Sequence, residues 1–246
     1  MFAAFAVLFY RSLRYRRYLV GYKRGKYNFT DILSLNKMGW MVGLQMGLET
    51  ALFSITGIMI GWLGSIALAA HQVMVAISTL GFMIYYGVGA AVSVRVSNYF
   101  GRQDLLHVRR TTMAGFHLIL CLAVCACTVF LFSRELIGYL FTTSEEVIRV
   151  VSTLVYILLA YQFGDALQIT YANSLRGIGD VISMAVISFI GYFLIAMPVC
   201  YICGFVLEWG ITGIWIGYPI GLTLTGVMLC GRYYWKLKTK TQSTEF

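Results

Sequence analysis

Two acidic residues lie deep inside apolar stretches of this 246-residue sequence. Glu49 stands in GLQMGLETALFSITG and Asp165 in AYQFGDALQIT, whereas the other eight of the ten acids fall in loops or at the ends of apolar stretches. A carboxylate in the middle of a membrane helix costs roughly 2.5–3.5 kcal/mol, so such groups usually face a bundle interior or a wet cavity and serve a function. The chemistry available to them is reversible binding of a proton, an alkali cation or a cationic substrate.

Polar residues at helical spacing accompany both acids. Tyr161 precedes Asp165 by four residues and Gln168 follows it by three, so all three share one helical face. Gln45 stands one turn before Glu49 on its own helix. Hydroxyl and amide oxygens beside carboxylates suit a hard cation such as Na⁺. The sequence therefore predicts a cation site of Glu49, Asp165 and Tyr161, with Gln45 and Gln168 as a supporting polar shell.

The predicted depths of the two acids agree. Glu49 follows Trp40 by nine residues and Asp165 precedes Arg176 by eleven, which places the carboxylates about 14 Å and about 16 Å from the same membrane face. Arg95 and Arg176 are the nearest basic candidates, and both are expected near the cytoplasmic ends of their helices. A mobile cation or proton is therefore the expected neutraliser. The alternative is that the acids only form hydrogen bonds between helices.

The elements that position these residues must be membrane helices. The chain is 59% hydrophobic and 12% charged, with a mean hydropathy of +0.77, which excludes an ordinary soluble domain. Apolar runs of roughly 20 residues predict helices rather than the short alternating strands of a β-barrel. We expect an all-α membrane protein in three parts: the end of a preceding helix with a basic cytoplasmic linker (1–38), a six-helix bundle (39–236) and a cytoplasmic tail (237–246). The six spans of the bundle are expected at about 39–63, 66–99, 111–132, 147–175, 181–205 and 211–234.

The basic residues predict the orientation. Alternating the connections across the membrane leaves 17 of the 19 Lys and Arg residues on one side, and only Arg134 and Arg149 on the other. Short loops rich in Lys and Arg remain in the cytoplasm, so both termini are expected inside. Basic loops beside apolar spans also explain the net charge of +9 through contact with anionic lipid, without a nucleic-acid partner.

The remaining candidate chemistry is expected to be structural. Cys200-x-x-Cys203 looks like half of a metal motif, but it has no second pair and no nearby His, so packing is its expected role. Tyr85, Tyr192 and Trp215 are expected to pack or to line the membrane interface. There is no G-x-S-x-G elbow, H-E-x-x-H motif or Gly-rich phosphate loop. No enzymatic activity and no cofactor are therefore expected, only a coupling ion, Na⁺ or H⁺.

Several stretches together resemble one transporter family. The resemblance rests on three regions: GLQMGLETALFSITGIMIGWLGSIALAAHQV followed by GVGAAVSVRVSNYFGRQD, then AYQFGDALQITYANSLRGIGD, and finally WGITGIWIGYPIGLTLTGVML. In this order they are similar to the seventh and eighth helices, the tenth helix and the twelfth helix of the multidrug and toxic compound extrusion (MATE) transporters. The resemblance implies one six-helix lobe, the C-terminal one, of a twelve-helix exporter. In the NorM-like branch it assigns a cation site to Glu49 in GLET and to Tyr161 and Asp165 in YQFGD. Met41 stands where family members often have a Pro.

The resemblance also implies a function. A MATE transporter exchanges Na⁺ or H⁺ for small organic, often cationic, drugs across the bacterial inner membrane, and its N-terminal lobe holds part of the drug cavity. The expected function is therefore cation-coupled multidrug efflux, with an N-terminal lobe supplied by the same gene or by a separate chain. The alternative is a truncated membrane fragment that is inactive alone and needs an N-terminal half or a second copy.

Overall fold

A computed structural model describes residues 28–242, and every regular element in that range is helical. The predicted end of an incoming helix and most of the basic linker, residues 1–27, and the last residues of the predicted tail, 243–246, lie outside the described residues. The all-α class expected from composition is confirmed. The elements are α1 (Phe29–Gly61), α2 (Ser65–Gly101), α3 (Leu105–Phe132), α4 (Arg134–Phe141), α5 (Glu145–Gly177), α6 (Val181–Val206) and α7 (Gly210–Gln242).

Within the described range, six of these helices are long and apolar enough to cross a membrane, and the short α4 is not. Several extend beyond the predicted spans, since α1 begins at Phe29 and α7 runs on to Gln242. Hydropathy marks the part of a helix that crosses hydrocarbon, whereas backbone hydrogen bonds continue into water. By its contacts the chain divides into two units, Met1–Gly39 and Trp40–Phe246. In the first, Asn28 precedes α1 and its side chain accepts a hydrogen bond from the Thr30 amide.

Local backbone chemistry sets the helix ends. Gly64, with φ +113°, turns the chain between α1 and α2, and Gly179, with φ +78°, does so between α5 and α6. Positive φ values of this kind strain residues that carry a Cβ, so glycine suits both turns. Asp104 caps α3 by accepting a hydrogen bond from the His107 amide at 3.1 Å.

The tightest packing lies between α6 and α7. Gly213, Gly217 and Gly221 recur every four residues of α7 and therefore share one face. A Cβ added at Gly217 would lie 2.2 Å from the Cys200 sulfur, and one at Gly213 would lie 2.2 Å from the Cys203 carbonyl oxygen. The two helices approach this closely because glycine leaves the face bare. Cys200 is fully buried here as a free thiol, the packing role expected from the sequence.

Helix α5 passes through the middle of the bundle and packs against α2, α3 and α7. From Gly164 to Leu175 nearly every side chain is buried. Gly164 packs against Thr223 of α7, and Gly177 packs against the Ser93 carbonyl of α2. This central helix is consequently held from several sides, and the side chains on it are fixed by their neighbours.

Helix α6 contains two stretches of wider, π-helical turns, Ile190–Ala196 and Ile202–Val206, on either side of a short α-helical stretch, Met197–Tyr201. Such turns carry one extra residue and recur at functional sites. Tyr192, which lies in the first of them, is completely buried.

From Trp40 onward, α1 is held mainly in its C-terminal half. The Thr56 hydroxyl shares a hydrogen bond with the Tyr218 hydroxyl of α7, and the ring of Phe53 stacks on that of Tyr218 at 4.7 Å. No atom of the described residues lies within 4 Å of a Cβ added at Gly43 or Gly47. The face of α1 that carries these two glycines is therefore bare in the described part of the chain.

Candidate functional site

The first part of the predicted site is a pair of side chains on α1. Gln45 and Glu49 are one turn apart, and the Gln45 amide nitrogen donates to Glu49 Oε2 at 3.2 Å. Gln45 is 2% exposed, whereas Glu49 is half-buried at the wall of two clefts. The spacing predicted from the sequence therefore produces a direct contact.

A tyrosine from α6 joins α1 to α5. The Gln168 amide nitrogen donates to the Tyr192 hydroxyl at 2.7 Å, and that hydroxyl donates to Glu49 Oε2 at 3.4 Å. Glu49 thus accepts hydrogen bonds from two helices at one oxygen atom. The sequence placed Tyr192 among packing aromatics, and no local pattern marks it, because its partners lie on other helices.

Asp165 occupies a different environment. It is completely buried, and neither carboxyl oxygen has a hydrogen-bond partner within residues 28–242. In the same range the side-chain oxygen of Gln168, on the same face of α5, also lacks a partner. An ionised carboxylate buried without partners costs several kcal/mol, so a proton or a bound cation is needed to neutralise it. Two unsatisfied oxygen-bearing side chains on one face suit such a ligand.

Further unsatisfied polar groups lie between α5 and α2. Both side-chain polar atoms of Gln162 and the Tyr85 hydroxyl are buried with no hydrogen-bond partner in the described part of the chain, and Tyr85 interacts electrostatically with Asp165. Gly81 of α2 leaves space for Gln162, whose amide nitrogen would be 3.1 Å from a Cβ at that position. The neighbourhood of Asp165 thus contains more hydrogen-bonding capacity than the protein itself satisfies.

Two clefts adjoin Glu49. The larger has a volume of about 240 Å³ and is lined by Glu49 and Tyr161 among apolar and hydroxyl side chains of α1 and α2. The smaller holds only about 10 Å³, close to the space that one water molecule needs, and is lined by Gln45, Glu49, Gln168 and Arg176, among others. Tyr161 and Arg176 share a face of α5, and Asp165 lies between them along that face. The predicted residues are thereby gathered into one region.

Arg176 corrects one expectation. It does lie in the last turn of α5, but its guanidinium extends to α1, where Nη2 donates to Gln45 Oε1 at 3.4 Å. Because Gln45 also donates to Glu49, a fixed positive charge stands one amide away from that carboxylate. The sequence expectation of no fixed counter-charge at this depth is therefore wrong for Glu49. A long side chain carried the charge further than its Cα position indicated.

The donor set fits a hard monovalent cation better than a transition metal. Within residues 28–242, no three His, Cys, Asp or Glu side chains come together. The available ligands are carboxylate, amide and phenol oxygens, which suit Na⁺ or a proton. The residues present therefore fit the predicted coupling ion.

Comparison with known proteins identifies the family. The MatE family model matches residues 42–202, which is more than half of the chain and includes every predicted site residue. The chain belongs to the MatE family. Relatives in this family include the multidrug resistance protein NorM of Photobacterium profundum, 34% identical over 220 residues, and NorM of Vibrio cholerae, 33% identical over 214 residues. These alignments cover 87% and 85% of this chain, but 47% of each relative.

Solved MATE structures share the fold. The eukaryotic MATE transporter AtDTX14 matches with a TM-score of 0.81 at 20% identity, covering 92% of this chain and 50% of that one. A MATE structure in complex with MaL6 matches with the same TM-score at 14% identity, covering 88% and 49%. The chain spans about half the length of the relatives and structures it matches. The predicted fold class, a six-helix bundle corresponding to one lobe of a MATE transporter, is confirmed.

Proposed function

We propose that this chain is the C-terminal lobe of a cation-coupled multidrug efflux transporter, which exchanges Na⁺ or H⁺ for small organic, often cationic, compounds. Glu49 and Asp165 would bind the coupling ion, and Tyr161 would contribute an oxygen. Gln45 and Gln168 would orient the carboxylate of Glu49 and complete the polar shell. The naming of the MatE relatives as multidrug resistance proteins supports the transported class.

The observation that carries this proposal is the unpartnered carboxyl group of Asp165. A role as hydrogen-bonding glue between helices requires a partner, and Asp165 has none among the described residues. A binding role explains the same observation, because the missing partner is the ion. The alternative interpretation, in which both acids only hold helices together, therefore fits Asp165 poorly.

The larger cleft supports the substrate class. Its walls include Met46, Phe53, Phe82 and Met83, and Glu49 contributes a negative charge. Aromatic rings attract cations, and methionines adapt to ligands of varied shape. A cleft of this chemistry suits an amphipathic organic cation.

Coupling would follow from the placement of the two acids. Glu49 lies on α1, whose face at Gly43 and Gly47 is bare among the described residues, and Asp165 lies on the firmly packed α5. An ion bound by both would draw α1 toward α5, and its departure would release α1. A ligand shifts such an equilibrium only by its difference in affinity for the two states, so the ion must bind the drawn-in state more tightly.

The expected location is the bacterial inner membrane with both termini in the cytoplasm. Six apolar helices and the bacterial relatives support the membrane. The basic residues support the orientation, since 17 of 19 fall on one side by alternation.

The direct test is efflux of a fluorescent organic cation from cells that lack their own pumps and carry the complete gene. Glu49→Gln and Asp165→Asn keep the size of each side chain and remove its charge. Cells that express either variant should retain the dye as strongly as cells without the gene. Glu146→Gln, at the exposed start of α5, is the matched control and should export normally. Unchanged efflux in the first two variants would refute the ion site.

A second candidate function rests on the share of its relatives' length that this chain spans. Because the chain spans about half of its relatives, it would be inactive alone and would need an N-terminal half or a second copy. Reading the DNA upstream of Met1 separates the cases: a continuous frame encoding six more helices assigns the chain to an ordinary transporter. Transport by the purified chain alone in liposomes would exclude the inactive-fragment alternative.

A further inference from the structure

The guanidinium of Arg176 is the starting point. It makes three hydrogen bonds: Nη2 to Gln45 Oε1 at 3.4 Å, and Nη1 to Asn173 Oδ1 at 3.2 Å and to the Tyr86 hydroxyl at 3.4 Å. All of these acceptors are neutral, and the buried Nε has no partner among the described residues. The guanidinium is therefore partly buried between α1, α2 and α5, with its positive charge unpaired by direct contact in the described part of the chain.

The orientation of Gln45 follows from its two neighbours. Its oxygen faces the guanidinium, which only donates, and its nitrogen faces Glu49, which as a carboxylate only accepts. A flipped amide would set donor against donor and acceptor against acceptor. Gln45 is therefore polarised between a cation and an anion, and it transmits part of the attraction between them.

We propose that Arg176 is the resident counter-charge of Glu49, acting through Gln45, and that the coupling ion competes with it. With no ion bound, the guanidinium on one side of Gln45 offsets the negative charge on the other. An arriving cation takes over the negative charge of Glu49 and weakens the hold of Gln45 on Arg176. This inference rests on the proposed ion site and assigns Arg176 to setting its affinity.

A helix-end role alone would not explain this arrangement. A basic residue in the last turn already complements the helix dipole when it points into water. Arg95, near the end of α2, has its guanidinium at an exposed position beside Tyr99. Arg176 instead lies in the small cleft that Glu49 also lines.

The titratable groups around Glu49 come from three other helices. Tyr192 donates to it from α6, and α5 contributes Tyr161, Asp165 and Arg176. The third of these helices, α2, contributes Tyr86 at the smaller cleft. Arg176 is the only basic residue in this set, so its removal leaves Glu49 without a nearby fixed positive charge in the described part of the chain.

The experiment measures ion affinity in the purified full chain. Intrinsic tryptophan fluorescence and the thermal unfolding midpoint are titrated with NaCl against choline chloride, and separately with pH. Arg176→Gln removes the competitor, so half-saturation should come at on the order of 10-fold less Na⁺. If the site binds H⁺ instead, the pH midpoint should move upward by about one unit, the same factor of 10.

Three further variants separate ion affinity from folding. Gln45→Met keeps the length of the side chain but removes the bridge, so it should shift the midpoint in the same direction as Arg176→Gln. Arg176→Lys keeps the charge and should lie between the wild type and Arg176→Gln. Arg232→Gln removes another partly buried basic side chain, one paired with Asp180 at 2.8 Å, and should leave the ion midpoint unchanged.

The results distinguish a failure of the role proposed for Arg176 from a failure of the ion site itself. If Arg176→Gln and Gln45→Met titrate like the wild type while Glu49→Gln loses the response, Arg176 is not the competitor and the ion site stands. If Glu49→Gln responds like the wild type, or the wild type responds to neither ion, the ion site itself fails and this inference fails with it.

Discussion

The glycines of α7 and those of α1 occupy opposite environments. Gly213 and Gly217 are pressed against α6, where an added Cβ would lie 2.2 Å from its nearest neighbour. Gly43 and Gly47 have the same four-residue spacing, but no atom of the described residues lies within 4 Å of a Cβ added at either position. The same sequence pattern therefore marks a closed interface on one helix and a bare face on the other. Small-residue spacing permits close approach, and the partner helix decides whether approach occurs.

This difference also divides the candidate site. Gln168, Asp165 and Tyr192 belong to the firmly packed α5 and α6, and Glu49 belongs to α1. Hydrogen bonds from Gln45 and Tyr192 are the direct polar contacts that hold the Glu49 carboxylate among the described residues. A ligand bound both by Glu49 of α1 and by the side chains of α5 and α6 would therefore mainly shift α1.

The largest effect is expected from Gly217→Ala. Its Cβ would overlap the Cys200 sulfur and approach the Cys200 backbone nitrogen at 3.0 Å, so α6 and α7 must separate. We expect a loss of about 2–3 kcal/mol in the free energy of unfolding, measured by thermal or denaturant unfolding in detergent. Adding Cys200→Ala should recover part of the loss. A wild-type midpoint in the single variant would show that this interface is not tightly packed.

Tyr192→Phe tests the bridge between the two regions. It removes the hydroxyl that Gln168 and Glu49 share, leaving a buried amide donor without its partner. We expect a loss of about 1–2 kcal/mol in stability, together with a weaker response to the coupling ion in the fluorescence titration.

Tyr218→Phe is the control for that variant, because it removes another buried hydroxyl, the one bonded to Thr56. It should lower stability by a similar amount and leave the ion midpoint unchanged. Equal ion responses in both variants would remove Tyr192 from the site.

A smaller, pH-dependent effect is expected at the end of the packed region. Burial alone would raise the pKa of the Asp180 carboxyl, but hydrogen bonds from Arg232 and Ser183 and the charges of Arg232 and Lys236 outweigh it and lower that pKa below the usual 3.8. A lowered folded-state pKa stabilises the fold above the unfolded value and loses that contribution as pH falls through the folded value.

Asp180→Asn should therefore reduce the pH dependence of the unfolding midpoint below about pH 5 and lower the midpoint near neutrality. The measurement is a series of melting curves from roughly pH 3 to pH 7 in both proteins. If the unfolding midpoint depends on pH in the same way in both proteins, the ion pair with Arg232 contributes nothing measurable to the pH dependence of stability.

The smallest effect is expected from Gly47→Ala. The added methyl group meets no atom of residues 28–242, and alanine favours helix over glycine by up to about 1 kcal/mol. The unfolding midpoint should stay level or rise slightly, in direct contrast to Gly217→Ala. A clear loss of stability in the purified chain would mean that this face of α1 is covered.

The sequence predicted the parts of the fold and site that depend on local pattern. Apolar runs predicted six membrane helices, and Glu49 and Asp165 stood out because acids are costly in that setting. The four-residue spacing of Gln45 and Glu49 predicted that they lie one turn apart on a helix, and in the structure they form a hydrogen bond. Helical periodicity alone was sufficient for these inferences.

The remaining features depend on contacts between distant helices. Tyr192 follows Asp165 by 27 residues on another helix, so no spacing rule links it to Glu49. Arg176 was placed by its Cα, but its side chain crosses to α1. A depth estimate at a fixed rise per residue omits the reach of long side chains.

The wider turns of α6 bear on how relatives should be aligned. Each π-helical stretch, Ile190–Ala196 and Ile202–Val206, accommodates one residue more than regular α-helical winding does. A relative without that residue would keep a helix of nearly the same length, and the side chains beyond the gap would keep their directions, because the wider turn absorbs the extra residue. One-residue gaps in an alignment are therefore expected inside this membrane span. An ungapped alignment would match every residue beyond the stretch to a position one residue out of register, so the counterpart of Tyr192 in a relative is identified only after such gaps are placed.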